Sequence, residues 1–208
     1  MKTKFRYLPY LIFSVVSVFG QEKEKSVSPN WNLSPELNFY FIPDDFFIIP
    51  VFKADNKKVH LEARYNYEDR ETFSGWIGYN MSGGKNFTYT ITPMLGGVVG
   101  RTDGVAVGLE MTLAYKRIEL YSESEYLLDA HATEDNYFYI WSDLTYSPSE
   151  NFWFGISTQR TKVYQTDFDM QRGLLIGFAW KWLEVTTFAY NLGHHDDTFF
   201  ILSLSSEF

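Results

Sequence analysis

The chain contains no cysteine in its 208 residues. That removes a disulfide scaffold, a thiolate-held zinc or iron–sulfur centre, a cysteine nucleophile and a lipidation cysteine. Basic residues are few: 18 Lys and Arg stand against 26 Asp and Glu, for a net charge of −8. Such a balance argues against a nucleic-acid partner. Beyond the first twenty residues, no segment offers the roughly 18 unbroken apolar residues of a membrane helix. Helical periodicity, repeat units and a second-domain boundary are absent from the pattern as well. What the chain does have is aromatic side chains, 19% of all residues.

The N-terminus reads as an export signal. Lys2, Lys4 and Arg6 precede an apolar stretch from Leu8 to Phe19, closed by Gly20. A basic start, about a dozen apolar residues and a small residue before a charged segment describe a secretory signal peptide over 1–20. Its removal would leave 15 basic residues and a net charge of −11. Residues 21–34 are charged, proline-containing and aperiodic, and read as a flexible periplasmic leader. Export without cysteine fits a Gram-negative envelope better than a eukaryotic secreted domain.

From there the chain alternates in period 2 to its end. Runs at 58–67, 72–81, 86–96, 105–116, 118–128, 136–146, 151–163, 173–181, 182–191 and 198–208 are bounded by Gly, Pro, Asn and Asp clusters, the mark of strands. Leu37–Ile42 and Phe46–Lys53 offer a further hairpin, although Phe46–Phe52 barely alternates and Pro50 would interrupt a ladder. Ten to twelve even-spaced strands without a helix leave a barrel or a sandwich; twelve is the preferred number. Short turns (Ser82–Lys85, Lys116–Arg117, Ser147–Glu150, Lys181) alternate with more acidic and mostly longer loops (68–71, 100–104, 129–135, 164–172, 191–197). Outer-membrane barrels show that asymmetry, with the short turns periplasmic.

Parity separates two faces. Val105, Val107, Leu109, Met111, Leu113 and Tyr115 oppose Ala106, Gly108, Glu110, Thr112 and Ala114; Leu174, Ile176, Phe178 and Trp180 oppose Leu175, Gly177, Ala179 and Lys181. The second sets are small or polar and suit a tight interior. On the apolar face, aromatics gather at both strand ends. Tyr79, Phe87, Tyr89, Tyr115, Tyr146, Phe152, Trp180 and Phe208 lie toward the short turns; Tyr65, Tyr67, Phe73, Tyr126, Phe138 and Phe200 lie toward the loops. Two aromatic girdles around an aliphatic band mark a lipid-facing surface.

The chain ends Thr198-Phe199-Phe200-Ile201-Leu202-Ser203-Leu204-Ser205-Ser206-Glu207-Phe208. With this ending, the mature sequence resembles small Gram-negative outer-membrane β-barrel proteins over nearly its whole length. The resemblance implies an all-β, up-and-down antiparallel transmembrane barrel spanning 35–208, located in the outer membrane. It also implies that Phe200, Leu202, Leu204 and Phe208 form the terminal signal read by the barrel-assembly machinery, with Ser206 departing from the pattern. Outer-membrane lipids and lipopolysaccharide would be its partners. No activity, cofactor or metal is carried over.

The inward parity collects His60, Glu62, Arg64, Glu110, Glu119, Glu123, Glu125, Asp143, Lys181 and Glu184. Such groups are tolerable inside a narrow bore only if they pair, hydrate or protonate. They are expected to form a lumen ion-pair network, with a narrow cation-preferring path as the sharper alternative. At the loop end Arg160, Lys162, Asp167, Asp169 and Arg172 make a polar run that would suit lipopolysaccharide phosphates. Asp44-Asp45 and His194-His195-Asp196-Asp197 read as solvated loops, since no wider hydrolase motif accompanies them. The expectation is therefore a non-enzymatic barrel with a structural or receptor role, or a narrow plugged channel. A soluble barrel for an apolar ligand and a membrane lipid or peptide hydrolase are the rival readings.

Overall fold

The computed structural model describes residues 31–162, 170–194 and 196–208. The signal-peptide reading and the leader through residue 30 lie outside them. The elements in chain order are β1 (Asn32–Ile42), β2 (Asp45–Asn56), β3 (Val59–Tyr65), β4 (Thr72–Tyr79), β5 (Met81–Gly84), β6 (Phe87–Gly100), β7 (Gly104–Tyr115), β8 (Ile118–Asp129), β9 (Tyr137–Ser149), β10 (Phe152–Arg160), β11 (Gln171–Trp180), β12 (Leu183–Tyr190) and β13 (Phe199–Ser205). A single 3-10 turn, Thr133–Asp135, interrupts them.

Each strand pairs antiparallel with its sequence neighbours, and β13 returns to β1 from Glu36↔Ser205 to Phe41↔Phe200. β4 and β5 are two stretches of one wall strand. The ladder to β6 stops at Gly78↔Met94 and resumes in the same register at Met81↔Ile91. The missing rungs lie opposite Thr92 and Pro93, and proline has no N–H to give. Asn80 bridges the gap instead: its N–H donates to the Lys58 carbonyl at 2.8 Å, and its side-chain oxygen accepts from Thr92 Oγ1 at 2.6 Å. The wall thus has twelve strands and is closed, so no lateral edge is left unpaired.

The hairpin of β1 and β2 decides ten against twelve. Pro50 pairs opposite Leu37, beyond the point where the β3 ladder begins at Val51↔Arg64. Only one side of β2 is laddered there, which lowers the cost of the proline. Phe46–Phe52 hardly alternates because both its faces are apolar: Phe47, Ile49 and Val51 are buried inside, while Phe46 and Phe52 are exposed outside. The first strand also begins earlier than expected. Leu33, read as leader, exchanges two backbone hydrogen bonds of 3.0 Å with Phe208.

Five connections at one end are two-residue turns, at 57–58, 85–86, 116–117, 150–151 and 181–182. Lys57, Lys116 and Lys181 adopt positive φ there (51°, 56° and 61°), as tight hairpin turns require. The opposite end carries the two-residue turn at 43–44 together with the longer loops. Between them the outer surface is an apolar belt: Ile77, Leu95, Val105 and Ile176 are each more than half exposed. Tyr79, Phe87, Tyr115 and Trp180 rim it toward the turns, and Tyr65, Phe73, Tyr126 and Phe200 rim it toward the loops. A surface of that size is stable in hydrocarbon and a liability in water. Tyr67 departs from the girdle expected of it. Asn66 takes φ of 58°, which turns the chain inward and buries Tyr67 in the bore.

Candidate functional site

The bore is filled from two sides. The wall from β9 through β13 to β2 contributes Tyr40, Phe47, Tyr139, Trp141, Phe188, Tyr190 and Phe199, all buried. Their rings stack closely: Tyr40 on Phe47 and Tyr190 on Phe199 at 4.8 Å, with Trp141 edge-on to Phe188 at 5.3 Å. The wall from β3 to β8 contributes charge. Arg64 lies at its centre, 1% exposed. It contacts Glu62 at 2.7 Å, Glu123 at 2.7 Å, Glu125 at 3.1 Å and Glu68 at 3.6 Å. Its guanidinium also lies over the rings of Tyr67 (4.4 Å) and Trp76 (4.8 Å). A planar, delocalised cation tolerates this mixture of carboxylate and ring contacts far better than an ammonium would. Trp76 fits because glycine lies beneath it: a Cβ at Gly96 would approach its ring to 2.4 Å.

The two fillings meet at Tyr67. Its hydroxyl donates to Glu123 at 2.9 Å and accepts from Tyr139 at 2.8 Å. The β3–β4 loop continues inward past Tyr67. Glu68 accepts from Ser74 Oγ and from Trp76 Nε1 (3.2 Å), and Asp69 accepts from Thr102 Oγ1 at 2.9 Å. This loop therefore caps the bore at the loop end.

Toward the turn end the filling thins into a vestibule of about 530 Å³, lined among others by Glu36, Lys53, Glu119, Asp143 and Glu184. Lys53 donates to Glu110 and sits 3.7 Å from Glu62. His60 Nδ1 is 2.9 Å from Asp55, and its Nε2 faces Glu62 at 3.6 Å and Glu110 at 3.9 Å. Asp143 belongs to a separate cluster, accepting from Trp141 Nε1 at 2.8 Å and from Ser157 Oγ.

Of the expected lumen residues, the structure brings together His60, Glu62, Arg64, Glu110, Glu123 and Glu125. Glu119 and Glu184 line the vestibule and make no ion pair among the described residues. Lys181 is a correction: its positive φ places it on the β11–β12 turn, exposed, with Nζ over the Trp180 ring at 5.0 Å. Three participants escaped the sequence reading. Lys53 and Asp55 lie on β2, whose alternation is masked by its apolar inner face, although they continue the inward parity of Val51. Glu68 follows the Asn66 turn and reads as loop.

Of the polar run expected at the loop end, only Arg160, Lys162 and Arg172 are among the described residues, and these three do not share a partner. Arg160 donates to the Phe138 carbonyl at 3.2 Å and Lys162 to Thr102 Oγ1 at 3.3 Å, whereas Arg172 is exposed. Asp167, Asp169 and His195 lie outside the described residues. Among the neighbouring loops, Asp103 is held below its ordinary carboxylate range by the Gly100 N–H at 2.8 Å and then by His131 at 3.4 Å.

Closed wall, apolar belt, double aromatic rim and packed polar bore together define a small β-barrel of the outer-membrane type. No family model and no curated protein matches the sequence. Solved structures do. The chain is similar to a KdgM porin with a TM-score of 0.60 at 10% identity, covering 84% of this chain and 99% of that one. A structure described as KdgM porin in complex with disordered oligogalacturonate gives 0.59 at 9%, covering 85% and 99%. The outer membrane protein Omp33 of Acinetobacter baumannii gives 0.50 at 11%, covering 86% and 98%. The likeness is one of fold.

Proposed function

We propose that this chain is an integral outer-membrane barrel whose bore is closed at rest, with its turns and termini in the periplasm and its loops outside. The observation that carries the reading is the packing of aromatic rings against the Arg64 cluster, which joins opposite walls through Glu123, Tyr67 and Tyr139 in the loop-side half of the bore. A water-filled porin would need that space. The remaining route is an acidic vestibule open toward the turns, so any residual flux is of small cations. The oligogalacturonate named for one neighbour is a polyanion. An interior in which Asp55, Glu62, Glu68, Glu110, Glu123 and Glu125 outnumber Lys53, His60 and Arg64 disfavours it. A receptor or structural role fits the same plug, and lipid is the surrounding partner that the belt requires.

Planar-bilayer recording of the purified barrel tests this. Wild type is expected to give no current or small, cation-preferring steps, and Tyr139→Ala with Trp141→Ala larger ones. Porin-sized steps from the unaltered protein would overturn the closed-bore reading.

A further inference from the structure

The carboxylates around His60 are arranged for more than an ion pair. His60 is 2% exposed, and its Nε2 has no hydrogen-bond partner among the protein atoms. That nitrogen points at two acidic oxygens, of Glu62 and Glu110, and the three atoms lie within 4.8 Å of one another. Glu62 Oε1 is buried without a hydrogen-bond partner as well. Lys53 on Glu110 and Arg64 on Glu62 Oε2 (2.7 Å) offset part of this negative charge, while the Nε2 side of the imidazole faces both carboxylates with no hydrogen bond of its own.

The other side of the imidazole is fixed. Nδ1 meets Asp55 at 2.9 Å, and Asp55 accepts from Asn80 at 2.6 Å. Asn80 is in turn held by Thr92 at the interrupted rung. A carboxylate on Nδ1 sets the tautomer that leaves Nε2 as a donor atom for a metal, the usual support behind a metal-bound histidine. Bonds of 2.0–2.2 Å in tetrahedral geometry would space such donors about 3.4 Å apart. The two separations from Nε2, 3.6 and 3.9 Å, are close to that spacing, and the two carboxylates, within 4.8 Å of each other, would draw together on the ion.

We infer that His60, Glu62 and Glu110 form a binding site for a late first-row divalent cation of the zinc type, supported by Asp55 and entered from the turn-side vestibule. One imidazole nitrogen with two carboxylates suits zinc and disfavours magnesium or calcium, which prefer an all-oxygen shell. Glu62 and Lys53 both line the vestibule, which provides the route. Lys53 is the internal competitor. Its ammonium binds Glu110 and approaches Glu62 at 3.7 Å, and its flexible stem lets it leave when a dication arrives. The site does not depend on whether the bore conducts.

The chain has four histidines, so His131, His194 and His195 can be changed to Ala, leaving His60 as the lone imidazole. Zinc chloride is titrated calorimetrically into this full-length barrel in detergent, and cobalt absorbance and the His60 ring resonances are followed in parallel. Heat-dependent gel mobility verifies that each variant is folded. Expected are one zinc per barrel, affinity reduced 100-fold or more by His60→Gln, reduced 10- to 100-fold by Asp55→Asn, and raised severalfold by Lys53→Met. Glu110→Gln, on a more exposed residue, serves as the second ligand variant should His60→Gln fail to fold. Absence of zinc binding, binding that survives the ligand variant unchanged, or equal competition by magnesium would overturn the assignment.

Discussion

At the scale of single residues, Arg64 has the most at stake. Four carboxylates converge on a guanidinium removed from water, so its loss strands charges that cannot rehydrate. Arg64→Met is expected to destabilise the barrel by about 3–5 kcal/mol, read from urea unfolding in lipid vesicles. Glu123→Gln should cost less, because carboxylates are in excess around that cation. Leu109→Arg tests the opposite face. Leu109 is exposed on the outer surface of β7, and a cation near the bilayer midplane there should cost about 2–4 kcal/mol. If Leu109→Arg were harmless while Glu123→Gln unfolded the barrel, the assignment of inside and outside would have to be reversed.

At the scale of elements, two junctions matter most. The last strand closes the wall on the first, and Phe208 sits at the seam with its backbone paired to Leu33. Phe200, Leu202, Leu204 and Phe208 stand on the outward parity, whereas Ser206 turns its hydroxyl to the Trp182 carbonyl at 2.7 Å. Deleting Phe208 removes both hydrogen bonds of its pair with Leu33 and the terminal aromatic together. The expected result is a severalfold lower level in outer-membrane fractions at matched expression, with degraded or periplasmic protein in its place. Normal insertion would refute the terminal-signal reading. The second junction is the loop cluster of Gly100, Asp103 and His131. Since the folded Asp103 carboxyl titrates below its ordinary range, its contribution is complete above that range and disappears as pH falls through the lowered value. The protection factor of the Gly100 amide, its exchange rate relative to the unstructured chain at the same pH, should therefore fall on acidification, and Asp103→Asn should flatten that profile.

For the whole molecule, closure is the decisive property. A twelve-stranded wall closed by β13 on β1 leaves detergent no open sheet edge to attack, so unheated protein should migrate differently from boiled protein in detergent gels. Identical mobility would count against a closed barrel. The same closure makes the interior a confined space in which rings and charges must share a fixed volume. In the proposed closed-bore reading, that sharing, more than any one residue, limits what can pass.

Much of this was legible in the sequence because period-2 alternation and turn chemistry are local. Tyr115-Lys116-Arg117 announces a hairpin without reference to the rest of the chain, and Leu174, Ile176 and Phe178 declare one face by parity alone. The aromatic rims and the inward placement of His60, Glu62, Arg64, Glu110, Glu123 and Glu125 follow from the same rule. The remainder was not local. Phe46–Phe52 lost its alternation because both its faces are apolar, the inner one packing into the ring-filled side of the bore where Phe47 stacks on Tyr40. That left the first hairpin weakly marked and hid Lys53 and Asp55 as lumen residues. Tyr67 and Glu68 entered the bore through one left-handed residue, Asn66. The meeting of His60 with Glu110, fifty residues later, depends on barrel curvature. Strand patterns determine which side a residue faces; only the closed wall decides which residues it faces there, because register and curvature are set by pairing across the entire chain.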